Sequence, residues 1–183
     1  MRMVDIIVEN IIASAKIADE LDIHKIAEKI PGFMYDPTEF LGLTLKLDEP
    51  NVAILLLPNG KAICTGAKKN EDIESSIKLV VNKFKNNNIK TNSKTNIETQ
   101  NIIVTSDLKK ELNLNSISKG LMYENISYEP DKLPGLVYKM DDIGAVLLIF
   151  SSGKIVCTGV KNLDDASKAM EMIKEKISSI GAL

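Results

Sequence analysis

The chain repeats itself once, and that duplication limits its possible folds more than any other feature of the sequence. Asn10-Ile11-Ile12 recurs as Asn101-Ile102-Ile103, 91 residues on. The string Asn59-Gly60-Lys61-Ala62-Ile63-Cys64-Thr65-Gly66-Ala67-Lys68 recurs as Ser152-Gly153-Lys154-Ile155-Val156-Cys157-Thr158-Gly159-Val160-Lys161, 93 residues on, and Gly42-Leu43 returns as Gly135-Leu136. One two-residue insertion before Tyr128 reconciles the two offsets. A period of roughly 90 residues is too long for a solenoid unit, so two copies point to a twofold-like pair of halves, 1–90 and 91–183. Asn86 to Asn96, NNNIKTNSKTN, is polar and reads as the linker between them.

Both halves carry the same local signals. A long apolar strand (Val4 to Ile17; Ile97 to Leu108) precedes a short helix opened by Asp22 or Asn113, and a turn follows at Pro37 or Pro130. Three strands come next in the first half, Leu43 to Leu47, Val52 to Leu57 and Lys61 to Thr65. Asp48-Glu49-Pro50-Asn51 and Pro58-Asn59-Gly60 supply their turns. Each half closes on an amphipathic helix, with Ile73, Ile77, Val80, Val81 and Phe84 at helical spacing in one and Leu163, Ala166, Met170, Ile173 and Ile177 in the other. Asn70 and Asn162 are the expected N-caps. Short turns imply antiparallel pairing, and two helices per half cover only one face of a sheet. Yet Ala53-Ile54-Leu55-Leu56-Leu57 and Ala145-Val146-Leu147-Leu148-Ile149-Phe150 are apolar at every position. Their second face needs a cover: another helix layer, a second copy of the chain, or another partner.

Composition bounds the function classes. With 183 residues, 44% of them hydrophobic, the chain can bury a core without staples. Two cysteines and one histidine make no structural zinc site, so neither metal nor cofactor is expected, and the cysteine usage fits a reducing, cytoplasmic compartment. The opening apolar stretch contains Asp5 and Glu9 and no signal-cleavage pattern, and no other run reaches membrane-spanning length. Charge pulls against nucleic acid: 23 Lys+Arg against 25 Asp+Glu leave a net of −2 and a pI near 5.6. Basic residues concentrated on one surface would offset that balance. A binder relying on apolar burial and DNA deformation also needs fewer phosphate contacts.

Tyr35-Asp36-Pro37-Thr38-Glu39-Phe40 and Tyr128-Glu129-Pro130-Asp131-Lys132-Leu133-Pro134-Gly135-Leu136, with the doubled Gly-Lys-x-x-Cys-Thr-Gly-x-Lys after them, resemble the direct repeats of TATA-box-binding proteins. The resemblance runs from Asp5 to Ile180. The mildly acidic balance and missing N-terminal extension resemble the archaeal members more than the eukaryotic ones. What it implies is an α+β saddle of two tandem homologous halves, a ten-stranded curved antiparallel sheet with four helices on the convex face. The concave face would sit in a widened minor groove, a mode of binding for which this family is a standard example. The implied function is a general transcription initiation factor that binds the TATA box, bends the DNA, and recruits transcription factor B and RNA polymerase.

The resemblance also implies site residues, and strand alternation orders them. Ile63 and Thr65 fall on one side of their strand with Cys64 on the other, as Val156 and Thr158 oppose Cys157. The family puts the threonine side on DNA, which leaves the cysteines as small core residues. Leu55 and Leu57, with Leu148 and Phe150, share that face. Phe40 and Leu57, and Leu133 and Phe150, match the four wedges that pry base steps apart; the family usually has four phenylalanines, so each kink is expected to rest chiefly on its single Phe. Asn10 and Asn101, with Ile12 and Ile103 beside them, sit in apolar strands where an unpaired amide is costly. Adenine N3 and thymine O2 on the minor-groove floor accept from an amide at A·T and T·A alike. Lys46 and Lys139, where the family usually has arginine, join Lys61, Lys154, Lys68 and Lys161 as expected phosphate contacts. Glu129 and Asp131 would dock transcription factor B. The bare concave face also predicts weak self-association through it.

His24 has no Cys, His or paired carboxylate at ligand spacing, and the chain has no phosphate-cradling glycine loop and no nucleophile beside a base, so no enzyme is expected. Two other functions fit the same pattern: a nucleic-acid-binding module of this fold with a different role, and a ligand-binding or dimerisation protein that buries its apolar sheet.

Overall fold

The computed structural model describes residues 5–183, and among them ten strands and four helices fall into two compact units. One unit is Asn10–Gln100; the other is Asn101–Leu183 together with the described residues up to Glu9. In the first, the strand order is β2 (Phe33–Tyr35), β3 (Leu43–Leu47), β4 (Val52–Leu56), β5 (Lys61–Ala67), β1 (Ile7–Lys16), with every neighbouring pair antiparallel. In the second it is β6 (Ile97–Asp107), β10 (Lys154–Val160), β9 (Ala145–Phe150), β8 (Gly135–Met140), β7 (Ile126–Ser127). Each unit adds a short helix, α1 (Ile23–Lys29) or α3 (Leu114–Gly120), and a long one, α2 (Asn70–Asn86) or α4 (Leu163–Ser179).

The two-residue period of the strands sorts their side chains. In β4 and β5, Val52, Ile54, Leu56, Ala62, Cys64 and Ala67 are buried, and α2 covers them with Ile73, Ile77, Val80 and Phe84. The Phe84 ring also meets Phe33 of β2, centroids 5.7 Å apart. The second unit repeats the arrangement, with Leu147, Ile149, Ile155, Cys157 and Val160 beneath Ala166, Met170, Ile173 and Ile177 of α4. The alternate strand residues are not covered. Ala53, Leu55, Leu57, Ile63 and Thr65, and Val146, Leu148, Phe150, Val156 and Thr158, are all half-buried. Burying one apolar face against helices supplies the core; the other apolar face stays bare.

Three details differ from the sequence reading. Asn70 does not cap α2: it is the first helical residue, and Lys69 holds the cap position without a side-chain hydrogen bond. Asn162, at the matched position of the repeat, does cap α4 by accepting from Asp165 N–H, as Asp22 and Asn113 cap α1 and α3. Leu163 opens α4 and is 44% exposed rather than core. The linker is tied down, because Asn92 donates its backbone N–H to Ile17 O and its amide to Lys16 O. Val4, the expected start of the first strand, lies outside the described residues.

Candidate nucleic-acid interface

The half-buried face of each unit forms rows of cross-strand neighbours. Thr65 lies opposite Ala53, and Ile63 opposite Leu55, as Thr158 lies opposite Val146 and Val156 opposite Leu148. Lys46 and Lys139 continue these rows, opposite Ala53 and Val146, and both are exposed. Among the described residues no helix packs on these side chains. Apart from its threonines and lysines the face is apolar, so a partner that dries it gains the transfer energy of its apolar area.

The asparagines are the polar exception, and the structure satisfies them from within. The register of β1 against β5 slips between Ile11 and Ala13, and that of β10 against β6 between Cys157 and Val160. Each slip stands beside a glycine in the left-handed region, Gly66 at φ +97 and Gly159 at φ +90. Gly66 N–H donates to Asn10 Oδ1 at 2.7 Å, and Asn10 Nδ2 donates to Thr65 Oγ1 at 3.1 Å. The copy is close: Gly159 N–H to Asn101 Oδ1 at 2.8 Å, and Asn101 Nδ2 to Thr158 Oγ1 at 2.9 Å. The amides are therefore not left unpaired in the absence of DNA, contrary to the reason the sequence suggested for their presence.

Phe40 and Phe150, two of the four residues expected as wedges, each lie against one of a second pair of glycines. A methyl group at Gly42 would stand 2.5 Å from Phe40 Cε1, and one at Gly135 would stand 3.2 Å from Phe150 Cε1. Each ring thus lies over a bare glycine, but the two rings come from different places. Phe40 precedes β3, whereas Phe150 ends β9, opposite Gly135. Leu57 and Leu133 are half-buried like the phenylalanines, while Leu41 beside Phe40 is 70% exposed.

Lys61, Lys154, Lys68 and Lys161 are exposed, and Lys154 lines one groove with Phe150, Val156, Thr105 and Glu9. The charge around the matched lysines differs between halves. Lys61 pairs across the ladder with Lys16, whereas Lys154 pairs with Asp107. The Lys109 backbone N–H holds the Asp107 carboxyl below its ordinary range, aided by the Lys109 ammonium at 3.0 Å and the Lys154 charge. Glu129 and Asp131 are exposed, and Glu129 is bridged to Lys132 at 2.5 Å. Burial pushes the Cys64 thiol up to about 12 and the Cys157 thiol up to about 11, as core residues. His24 is exposed and sets its ring edge-on to Tyr35, centroids 4.8 Å apart. Among the described residues no three His, Cys, Asp or Glu side chains cluster to hold a metal, and no helix is long and apolar enough to cross a membrane.

The doubled open face narrows the choice of family, and comparison with known proteins decides it. The family model described as "Transcription factor TFIID (or TATA-binding protein, TBP)" matches residues 5–87 and 96–180, one stretch per half. The chain belongs to the TATA-binding protein family. The TATA-box-binding protein of Haloarcula marismortui is 43% identical over 176 residues, covering 96% of this chain and 95% of its own. That of Archaeoglobus fulgidus is 42% identical, with 96% of each chain covered. The solved structure titled "Methanococcus jannaschii TBP" superposes with a TM-score of 0.87 at 40% identity, covering 96% of this chain and 99% of that one. The α+β fold of ten antiparallel strands and four helices in tandem repeats is thus that of the TATA-binding protein family, which is a family of transcription factors and not of enzymes.

Sequence reasoning missed several residues of the same rows. Ala53 and Val146 face the threonines directly. Gln100 Nε2 donates to Ser14 Oγ at 3.0 Å, and Thr105 Oγ1 donates to Glu9 Oε1 at 2.8 Å. These are one contact repeated: Glu9 and Gln100 directly precede the two asparagines, and Ser14 and Thr105 follow at equal spacing. That recurrence was the available signal.

Proposed function

We propose that the chain is a general transcription initiation factor that lays its two open faces along the minor groove of A/T-rich promoter DNA, bends the duplex, and offers a platform to transcription factor B and, through it, RNA polymerase. The observation carrying this reading is the bare apolar face of each unit, bearing one Asn–Thr pair and rimmed by lysines. Asn10, Thr65, Asn101 and Thr158 meet the acceptors of the groove floor, and Ile12, Ile63, Ile103 and Val156 crowd out a guanine amino group. Leu55 and Leu148 extend the apolar contact. Phe40, Leu57, Leu133 and Phe150 wedge into base steps, and Lys46, Lys61, Lys68, Lys139, Lys154 and Lys161 hold phosphates. The loop of Glu129 and Asp131 receives transcription factor B. The protein acts in the cytoplasm at the nucleoid, has no enzymatic activity, and associates weakly with itself through the open face when DNA is absent.

A mobility-shift titration tests this with an A/T-rich promoter duplex and the same duplex carrying a G·C centre. Retardation of the first at markedly lower protein concentration supports the proposal; retardation of neither refutes it.

A further inference from the structure

We propose that Lys16 and Asp107, matched residues near the end of the first strand of each repeat, give the two units unequal grips on the phosphate backbone, Lys16 strengthening that of Lys61 and Asp107 weakening that of Lys154. The inference rests on the minor-groove reading and adds to it which lysines carry the attraction.

Counting in twos from Asn10 reaches Lys16, and from Asn101 reaches Asp107, so both stand on the open side of their strands. Each lies directly opposite a lysine expected on phosphate: Lys16 faces Lys61, and Asp107 faces Lys154. Two like charges opposite each other in a ladder cost stability, so folding does not explain the first pair. Lys16 Nζ donates to Asn59 O, and to Asp19 O at 3.2 Å, which fixes its ammonium on the turn leading into Lys61. Carbonyl oxygens leave its net charge in place. Neither Lys16 nor Lys61 forms an ion pair among the described residues, so a phosphate beside them meets two cations held side by side.

The second unit reverses this. The Asp107 side chain is only 30% exposed, and its carboxylate is fixed by the Lys109 backbone N–H at 2.8 Å and the Lys109 ammonium at 3.0 Å, with Lys109 in the left-handed region at φ 56. Held ionised there, it sets a negative charge beside Lys154 and repels the phosphate that Lys154 attracts. Asp19 and Lys110, which carry the reverse charges three residues further on, are exposed beyond the strand ends and outside the ladder, where solvent and salt screen them.

The test is fluorescence anisotropy of the full chain on an A/T-rich promoter duplex, across about 50 to 200 mM salt. The slope of log affinity against log salt counts neutralised phosphates, about 0.9 for each. Lys16→Met should lower affinity about three- to tenfold at the low-salt end and make the slope shallower by up to about one. Asp107→Asn, which keeps the oxygen that accepts from Lys109 N–H, should raise affinity about three- to fivefold and make the slope steeper by up to about one. Lys168→Met removes the same charge from an exposed position on α4 and should leave the slope alone. A merely structural role for Lys16 or Asp107 would move affinity at every salt concentration together, with no change of slope. A parental slope in either variant overturns the inference; should Lys16→Met lose its fold in circular dichroism, the slope of Asp107→Asn decides alone. Failure of the parent chain to bind the duplex overturns the minor-groove reading instead.

Discussion

Alanine at Gly42 and alanine at Gly135 are the same substitution at matched positions of the repeat, yet they should behave differently. Neither glycine occupies the left-handed region, so alanine strains neither backbone, and each variant gains about 0.4–1 kcal/mol from a less flexible unfolded chain. The difference is steric. At Gly42 the new methyl would lie 2.4 Å from Leu56 O and 2.5 Å from Phe40 Cε1. The carbonyl belongs to a strand flanked on both sides, so the Phe40 ring and the β3 backbone must move, and overpacking of this kind costs about 1–3 kcal/mol. At Gly135 the nearest atoms are Ile149 O and Phe150 Cε1, both at 3.2 Å, which a shift of a few tenths of an ångström relieves. Gly42→Ala should therefore lose about 1–2 kcal/mol, while Gly135→Ala stays within about 0.5 kcal/mol of the parent. Urea denaturation followed by circular dichroism measures both. Because Phe40 is displaced, Gly42→Ala should also bend promoter DNA less. Equal losses, or a larger loss at Gly135, would refute the argument that these rings rest on glycine to different depths.

Three further outcomes follow from the charges and thiols. Glu9→Gln gives the first repeat the amide that Gln100 supplies in the second and removes a negative charge beside the groove of Lys154 and Phe150, so DNA affinity in low salt should rise about three- to tenfold; unchanged affinity would place Glu9 away from the phosphates. Lys176 and then Tyr138 hold the Glu124 carboxyl below its ordinary value by hydrogen bonding, so their stabilisation is present above the unfolded carboxylate range and is lost as pH falls through the lowered folded value. Glu124→Gln should flatten that acid limb by about 0.5 kcal/mol, the scale of a partly exposed pair, in denaturation curves taken from pH 6 to 3. Cys64 and Cys157, buried and with raised pKa values, should resist iodoacetamide at pH 8 until the protein unfolds; rapid labelling of the native protein would contradict their place beneath the helices.

Much of this was legible in the chain because duplication let each signal be read twice. The bounds Leu43–Leu47 of β3 follow from turn residues on both sides, and the alternation put Cys64 and Cys157 opposite the threonines, with the family resemblance supplying which side is open. What was hidden depended on partners distant in sequence. The edge strands β2 and β7 span three and two residues, too few to display a period, and came only from the family resemblance. Asn70 drew attention as a cap by residue type, but the repeat register puts Lys69 there. The asparagines looked like amides awaiting DNA because a β-bulge is set by two strands together, and nothing local reveals that, some 55 residues away, Thr65 Oγ1 accepts from the Asn10 amide and the Gly66 N–H donates to the Asn10 oxygen.

The central claim is that duplex DNA covers the open faces and bends to do so. Resonance energy transfer between dyes at the two ends of an A/T-rich promoter duplex measures this directly. The account predicts that saturating protein brings the ends closer, and that Phe40→Ala and Phe150→Ala reduce the effect more than Leu57→Ala and Leu133→Ala. A saturated complex whose end-to-end distance equals that of free DNA would contradict it.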